Sequence, residues 1–164
     1  MISETMRTAI NEQINKELYS SYLYLSMASY FADKNLVGFA TWLRVQVEEE
    51  RGHGMKFFDY LVDRSGRVFL NAIETPRSEW KSSLEAFKEV QSHEAKVTAS
   101  INALYELALK EKDYPTQVLL QWFITEQVEE EKNAAEIVQQ LELIDAHGTA
   151  VLMLDHQLGK RSGN

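Results

Sequence analysis

The sequence contains no cysteine, which excludes disulfides, thiolate metal sites, iron–sulfur clusters and cysteine nucleophiles. It has only 2 prolines and 7 glycines in 164 residues, too few breakers for a loop-rich or fibrous chain. No uninterrupted apolar run is long enough to span a bilayer. Residues 1–11 lack the apolar centre of a signal peptide, so the expected location is the cytoplasm, with no membrane partner. A basic surplus is also missing. With 17 basic and 25 acidic residues the net charge is -8, which argues against nucleic acid as a partner and favours cations.

What remains is a chain of one-domain length, 45% hydrophobic and 26% charged, patterned for helices. The periodicity predicts four long amphipathic helices over about 3–33, 37–64, 82–112 and 115–144, and a short fifth over about 147–158, all within one domain spanning 1–164. Asp33-Lys34-Asn35 and Gly38 mark a tight connection between the first two. Ser65-Gly66 ends the second helix, and a long irregular crossover follows. Ser82-x-x-Glu85 reads as a capping box, and Asp113-Tyr114-Pro115 as the start of the fourth helix. At 100° per residue, the inward stripe of the first helix holds Ile10, Ile14, Ser21, Tyr24, Leu25, Ala28 and Ala32. The fold class is all-α, a four-helix bundle with one long crossover. The fifth helix, around Val151-Leu152-Met153-Leu154, is apolar on every side. It either folds as a tail onto its own bundle or inserts between neighbouring subunits, and insertion is the expectation, since the faces of the bundle are already used.

Each long helix carries one acidic residue on its core stripe: Glu17, Glu50, Glu94 and Glu130. Any one of them alone reads as a boundary carboxylate. Four in four helices are harder to dismiss, because each buried charge costs roughly several kcal/mol unless it is paired or metal-bound, and no lysine or arginine shares those stripes. Glu50-x-x-His53 adds an imidazole one turn from a carboxylate, on the same helix face. Carboxylates with a single imidazole suit iron or manganese better than structural zinc. Glu49 and Glu129 flank their stripes, Glu126 and Gln127 lie beside Glu130, and Glu48 and Glu131 should face water.

The run from Asn11 to Tyr24, Glu49-Glu50-Arg51-Gly52-His53, and Trp122-Phe123 through Gln127-Val128-Glu129-Glu130-Glu131 together resemble the bacterial non-haem ferritins over essentially the whole chain. The resemblance implies a ferritin-like bundle that oxidises Fe(II) with O2 or H2O2 at a di-iron ferroxidase centre and stores the ferric product in a hollow cage. By that resemblance Glu17, Glu50 and His53 hold the first iron, with Glu50 bridging. Glu94 and Glu130 hold the second, with Gln127 beside it. Glu49, Glu126 and Glu129 match a third iron site, and Tyr24 matches a tyrosine that assists electron transfer. A homo-oligomer of 24 subunits is implied, with the long loop at a two-fold contact and the fifth helix around a four-fold axis. Haem is not expected, because Gly52 stands where haem-binding relatives place methionine. Gln127-x-x-Glu130 replaces a second Glu-x-x-His, so the second iron is expected to be the more loosely held.

Two other di-iron readings compete. A rubrerythrin-like peroxidase would usually append a Cys-rich domain, which this sequence lacks. A DNA-protecting miniferritin builds its site between subunits and has no fifth helix. The plain alternative is a structural bundle whose four acids reach outward to water.

Overall fold

The computed structural model describes residues 2–144 and 148–163. Its helices are α1 (Glu4–Asp33), α2 (Val37–Asp63), α3 (Ser83–Glu111), α4 (Tyr114–Ile144) and α5 (Gly148–Leu158), with no strand among the described residues. The expected start of the fifth helix, residue 147, lies outside the described residues.

The ends follow local chemistry. Ser3 accepts the Met6 N–H at 3.0 Å and caps α1. Ser82 accepts the Glu85 N–H at 3.1 Å, while the Glu85 carboxylate turns back to the Lys81 N–H rather than to that of Ser82. Asp113 accepts the Thr116 N–H at 3.3 Å and starts α4. Asn35, Ser65 and Lys112 take positive φ at the three helix ends, so Ser65 rather than Gly66 makes the left-handed step after α2. Gly38 is not in the α1–α2 turn at all. It lies inside α2, where α5 crosses it.

The short α1–α2 and α3–α4 connections make two antiparallel hairpins. The crossover over residues 64–82 joins them by running along α1. Asn11 bonds to the Arg67 carbonyl and the Phe69 N–H, Asn15 to the carbonyls of Asn71 and Ala72, Ser26 to that of Arg77, and Tyr30 to that of Trp80. Residue numbers rise together along both segments. The chain is therefore carried back to the end where α2 began, and α3 runs parallel to α2.

Burial follows a seven-residue repeat, the 3.5-residue period of helices packed in a left-handed bundle. In α1 two columns, Met6/Gln13/Ser20/Met27 and Ile10/Glu17/Tyr24/Phe31, are at most 1% exposed throughout. The same spacing gives Leu43/Glu50/Phe57 in α2, Phe87/Glu94/Ile101/Ala108 in α3 and Phe123/Glu130/Ile137 in α4. The 100° stripe expected for α1 drifts off this face by about 20° per heptad. Leu25 (47% exposed) and Ala32 consequently point outward, Ser21 is half-buried, and Leu23, Met27 and Phe31 occupy the core instead.

The four glutamates occupy corresponding places in the four columns and form one polar layer. Two apolar clusters close it off. One is built around Phe31, Phe39, Trp42 and Phe87, the other around Met6, Ile10, Phe57 and Phe123.

The fifth helix does not stand clear of its own bundle. It packs on its own chain, against α2 and to a lesser extent α4. Leu154 and Leu158 are buried, while Leu152 and Met153 are left 59% and 71% exposed. Two leucines one helical turn apart suffice to dock one side of so short a helix.

Candidate metal centre

Glu17, Glu50, Glu94 and Glu130 are 1%, 1%, 1% and 4% exposed, and His53 is 6% exposed. Their ligand atoms fall into two triads, Glu17–Glu50–His53 and Glu50–Glu94–Glu130, each with all atoms within 4.8 Å of one another. Glu50 belongs to both. His53 Nδ1 lies 3.4 Å from Glu50 Oε2, and its ring stands edge-on to Trp122 and Phe123. None of the four glutamates pairs with a lysine or arginine among the described residues.

Amide and phenol donors aim these carboxylates. Gln13 Nε2 donates to Glu17 Oε1 at 2.7 Å. Gln46 Nε2 donates to Glu50 Oε1 at 3.1 Å and to Glu130 Oε2 at 2.8 Å, tying α2 to α4. The Tyr24 hydroxyl donates to Glu94 Oε1, and Gln127 Nε2 to Glu94 Oε2 at 3.2 Å. Gln127 thus lies beside the second triad with its N–H aimed at a carboxylate. One oxygen is left over: Glu17 Oε2 is buried with no hydrogen-bond partner, a costly state unless something electropositive meets it.

The electrostatics point the same way. Burial, then the neighbouring Glu50 carboxylate, raises the Glu17 pKa to about 8. Burial followed by Glu50 and Glu94 does the same for Glu130, also to about 8. Burial raises Glu50 and Glu94 as well. The Tyr24 phenol, buried beside Glu94, is held well above its usual range and stays neutral. Four carboxylates in one layer repel one another when ionised. Two divalent cations carry the charge that would balance them, and the orphaned Glu17 oxygen supplies a ready ligand. The residues present fit a pair of hard cations.

The residues matched to a third site are less united. Glu126 is half-buried and forms a further triad with His53 and Glu130. Glu129 is exposed. Glu49 is bound by Arg161, whose Nη2 lies 2.6 Å from Glu49 Oε2. Glu48 and Glu131 face solvent as expected.

Sequence reading named Tyr24 and Gln127 but missed the other two donors, Gln13 and Gln46. Gln13 precedes Glu17 by four residues and Gln46 precedes Glu50 by four. This repeated helical spacing was a usable signal. It also missed His93, next to Glu94 in sequence but turned away towards α1. Its Nε2 lies 2.8 Å from Ser20 Oγ, and burial lowers its pKa to about 4.

A family model described as the ferritin-like domain matches residues 7–144. The chain belongs to the ferritin-like family. It is 42% identical to a bacterial non-heme ferritin of Bacteroides fragilis over 98% of this chain and 100% of that one. It is 37% identical to one of Staphylococcus epidermidis, over 100% and 99%. Among solved structures it matches a ferritin of the hyperthermophilic archaeon Archaeoglobus fulgidus, described as a novel open pore ferritin. That match has 52% identity and a TM-score of 0.98, covering 99% of this chain and 100% of that one. This ferritin-like chain therefore shares with its relatives both the bundle and the short C-terminal helix.

Proposed function

We propose that this protein is an iron-storage ferritin and a ferroxidase. It binds two Fe(II) ions in the carboxylate layer, oxidises them to Fe(III) with O2 or H2O2, and stores the ferric product. The observation that carries this reading is the shared Glu50, which belongs to both triads and so can bridge two cations. Iron is the substrate. Each Fe(II) gives up one electron, and two together match the two-electron reduction of O2 to H2O2 or of H2O2 to water. Glu17, Glu50 and His53 hold the first ion, and Glu50, Glu94 and Glu130 the second. Gln13, Gln46 and Gln127 orient the carboxylates, and Tyr24 fixes Glu94 and lies close enough to assist electron transfer. The neutral amides favour the ionised carboxylates without neutralising them, and so leave their charge for the cations.

The finer points are part of the same proposal. The chain assembles as a hollow shell of 24 subunits, placed in the cytoplasm. The exposed Phe69, Leu70 and Ile73 of the crossover contribute to a two-fold contact. Leu152 and Met153 of α5 meet neighbouring subunits. Glu49, Glu126 and Glu129 serve an outlying iron site, and haem is not used. Anaerobic Fe(II) titration followed by O2 or H2O2 addition tests the reading. Two tight ions per chain, oxidised quickly, with further ferric iron retained in a large particle, are expected. Absence of the two tight ions would remove the centre, and a bundle without iron retention would leave storage unsupported.

A further inference from the structure

After α5 the chain makes one more turn, with the Gly159 N–H on the Asp155 carbonyl and the Arg161 N–H on that of Leu158. This turn aims Arg161 back over α2. Its guanidinium lies over the Trp42 ring, 4.4 Å from the centroid. One arm donates to Glu49 Oε2 at 2.6 Å, and the other to Gln46 Oε1 at 2.9 Å. The Arg161 and Glu49 side chains are only 19% and 24% exposed. The contact is thus partly shielded, and it is fixed on three sides by an ion pair, an amide and an aromatic face. Gln46 is the residue whose amide N–H group spans Glu50 and Glu130. By taking the amide oxygen, Arg161 also dictates which end of Gln46 faces the carboxylate layer.

We infer that the C-terminal strap ending in Arg161 is a gate on the outlying cation site: Arg161 occupies Glu49 in place of a cation, and a third ion gains Glu49 only when the strap lifts. The argument is one of competition. The Glu49 oxygen bound by Arg161 lies in a short, charge-assisted hydrogen bond, and a divalent cation arriving there meets a like charge. The strap is short, bonded chiefly through one side chain, and lies beyond the last helix. It can open without disturbing the bundle. The same movement would free the Gln46 oxygen, so filling of the outlying site is coupled to the orientation of the donor that holds Glu50 and Glu130. This inference rests on the ferroxidase reading above.

The test uses Zn2+, which is redox-inert, titrated calorimetrically into the metal-free assembled protein, with particle size checked by light scattering. The wild type is expected to bind two ions tightly and a third weakly. R161A should keep the count of two and bind the third about tenfold more tightly. R161A/E49Q should lose that gain, and R161K, which keeps the charge but not the fork, should fall between. A chain ending at Gly159 serves as a second way to remove the strap and should behave as R161A does. Equal third-ion affinity in wild type, R161A and the shortened chain would overturn the gate, as would a gain that survives E49Q. If even the two tight ions are absent, the ferroxidase reading itself fails, a result distinct from failure of the gate.

Discussion

Asp155 of α5 accepts the backbone N–H of Phe39 at 2.9 Å, so a helix late in the chain caps one near its beginning. The N-cap residue of α2, Leu36, offers no side-chain acceptor of its own, and a carboxylate at a helix N-terminus is favourable on both hydrogen-bonding and dipole grounds. D155A should therefore cost about 1 kcal/mol. Gly38 makes the approach possible, because a Cβ there would lie 1.6 Å from the Asp155 carbonyl oxygen. That atom is backbone and cannot swing aside. G38A should destabilise by about 1–3 kcal/mol and free α5. Chemical denaturation of the metal-free protein reads both effects, and protease sensitivity after Ile144 reads the undocking. Unchanged protection in G38A would show that α5 is held by other contacts.

Glu50 is the residue whose loss should separate chemistry from folding. E50A removes the shared ligand of both triads, so fast Fe(II) oxidation should fall to the uncatalysed level while particle size matches that of the wild type. One buried carboxyl with no lysine or arginine partner also disappears. The metal-free variant should be no less stable than wild type, the relief offsetting the cavity left behind. Stopped-flow oxidation and thermal unfolding, measured on the same preparation, decide it. Wild-type oxidation rates in E50A would move the centre elsewhere.

Those two residues also show how far the sequence could be read. Glu50 was legible, because an acid at a core position stands out against Leu43 and Phe57 on either side of it. The four glutamates together pointed to the polar layer. The heptad columns were also present in the sequence, but an assumed 3.6-residue period smeared them over a 30-residue helix. That period puts Leu25 and Ala32 inside and leaves Leu23, Met27 and Phe31 off the stripe, the reverse of their burial. Gly38 has the look of a turn signal in the sequence, because glycine usually marks one. Its actual reason, the backbone of α5, lies more than a hundred residues away and leaves no local trace. Arg161 escaped for the same cause: nothing near it in sequence names Glu49 or Gln46 as partners.

Tyr24 offers a finer probe, since its hydroxyl donates to Glu94 Oε1. Y24F keeps the ring packed among its neighbours and deletes one hydrogen bond to a group that is anionic when a cation is bound, an interaction worth about 1.5–3 kcal/mol. The second cation should bind roughly tenfold or more weakly, while the first, on Glu17, Glu50 and His53, changes little. Turnover should slow without vanishing. Calorimetric titration with Zn2+ separates the two sites, and equal weakening of both would show that Tyr24 supports the layer as a whole.

Protonation gives the last test. Burial and the neighbouring carboxylates raise Glu17 and Glu130 to about 8 in the folded metal-free protein, against 4.5 for an ordinary glutamate. Below about pH 4.5 both folded and unfolded chains hold these protons, and there is no penalty. Between about 4.5 and 8 the unfolded chain has released them and the folded one retains them, so unfolding releases protons and rising pH favours it. Above about 8 the penalty is complete. These two groups should thus make metal-free stability decline across that window, and E17Q or E130Q should flatten the slope. Cation binding reverses the preference by demanding the ionised form. Near pH 7, Zn2+ binding should release protons, detectable as heats that vary with the ionisation enthalpy of the buffer. Buffer-independent heats, with flat stability between about pH 5 and 8, would mean that the layer is already ionised before any cation arrives.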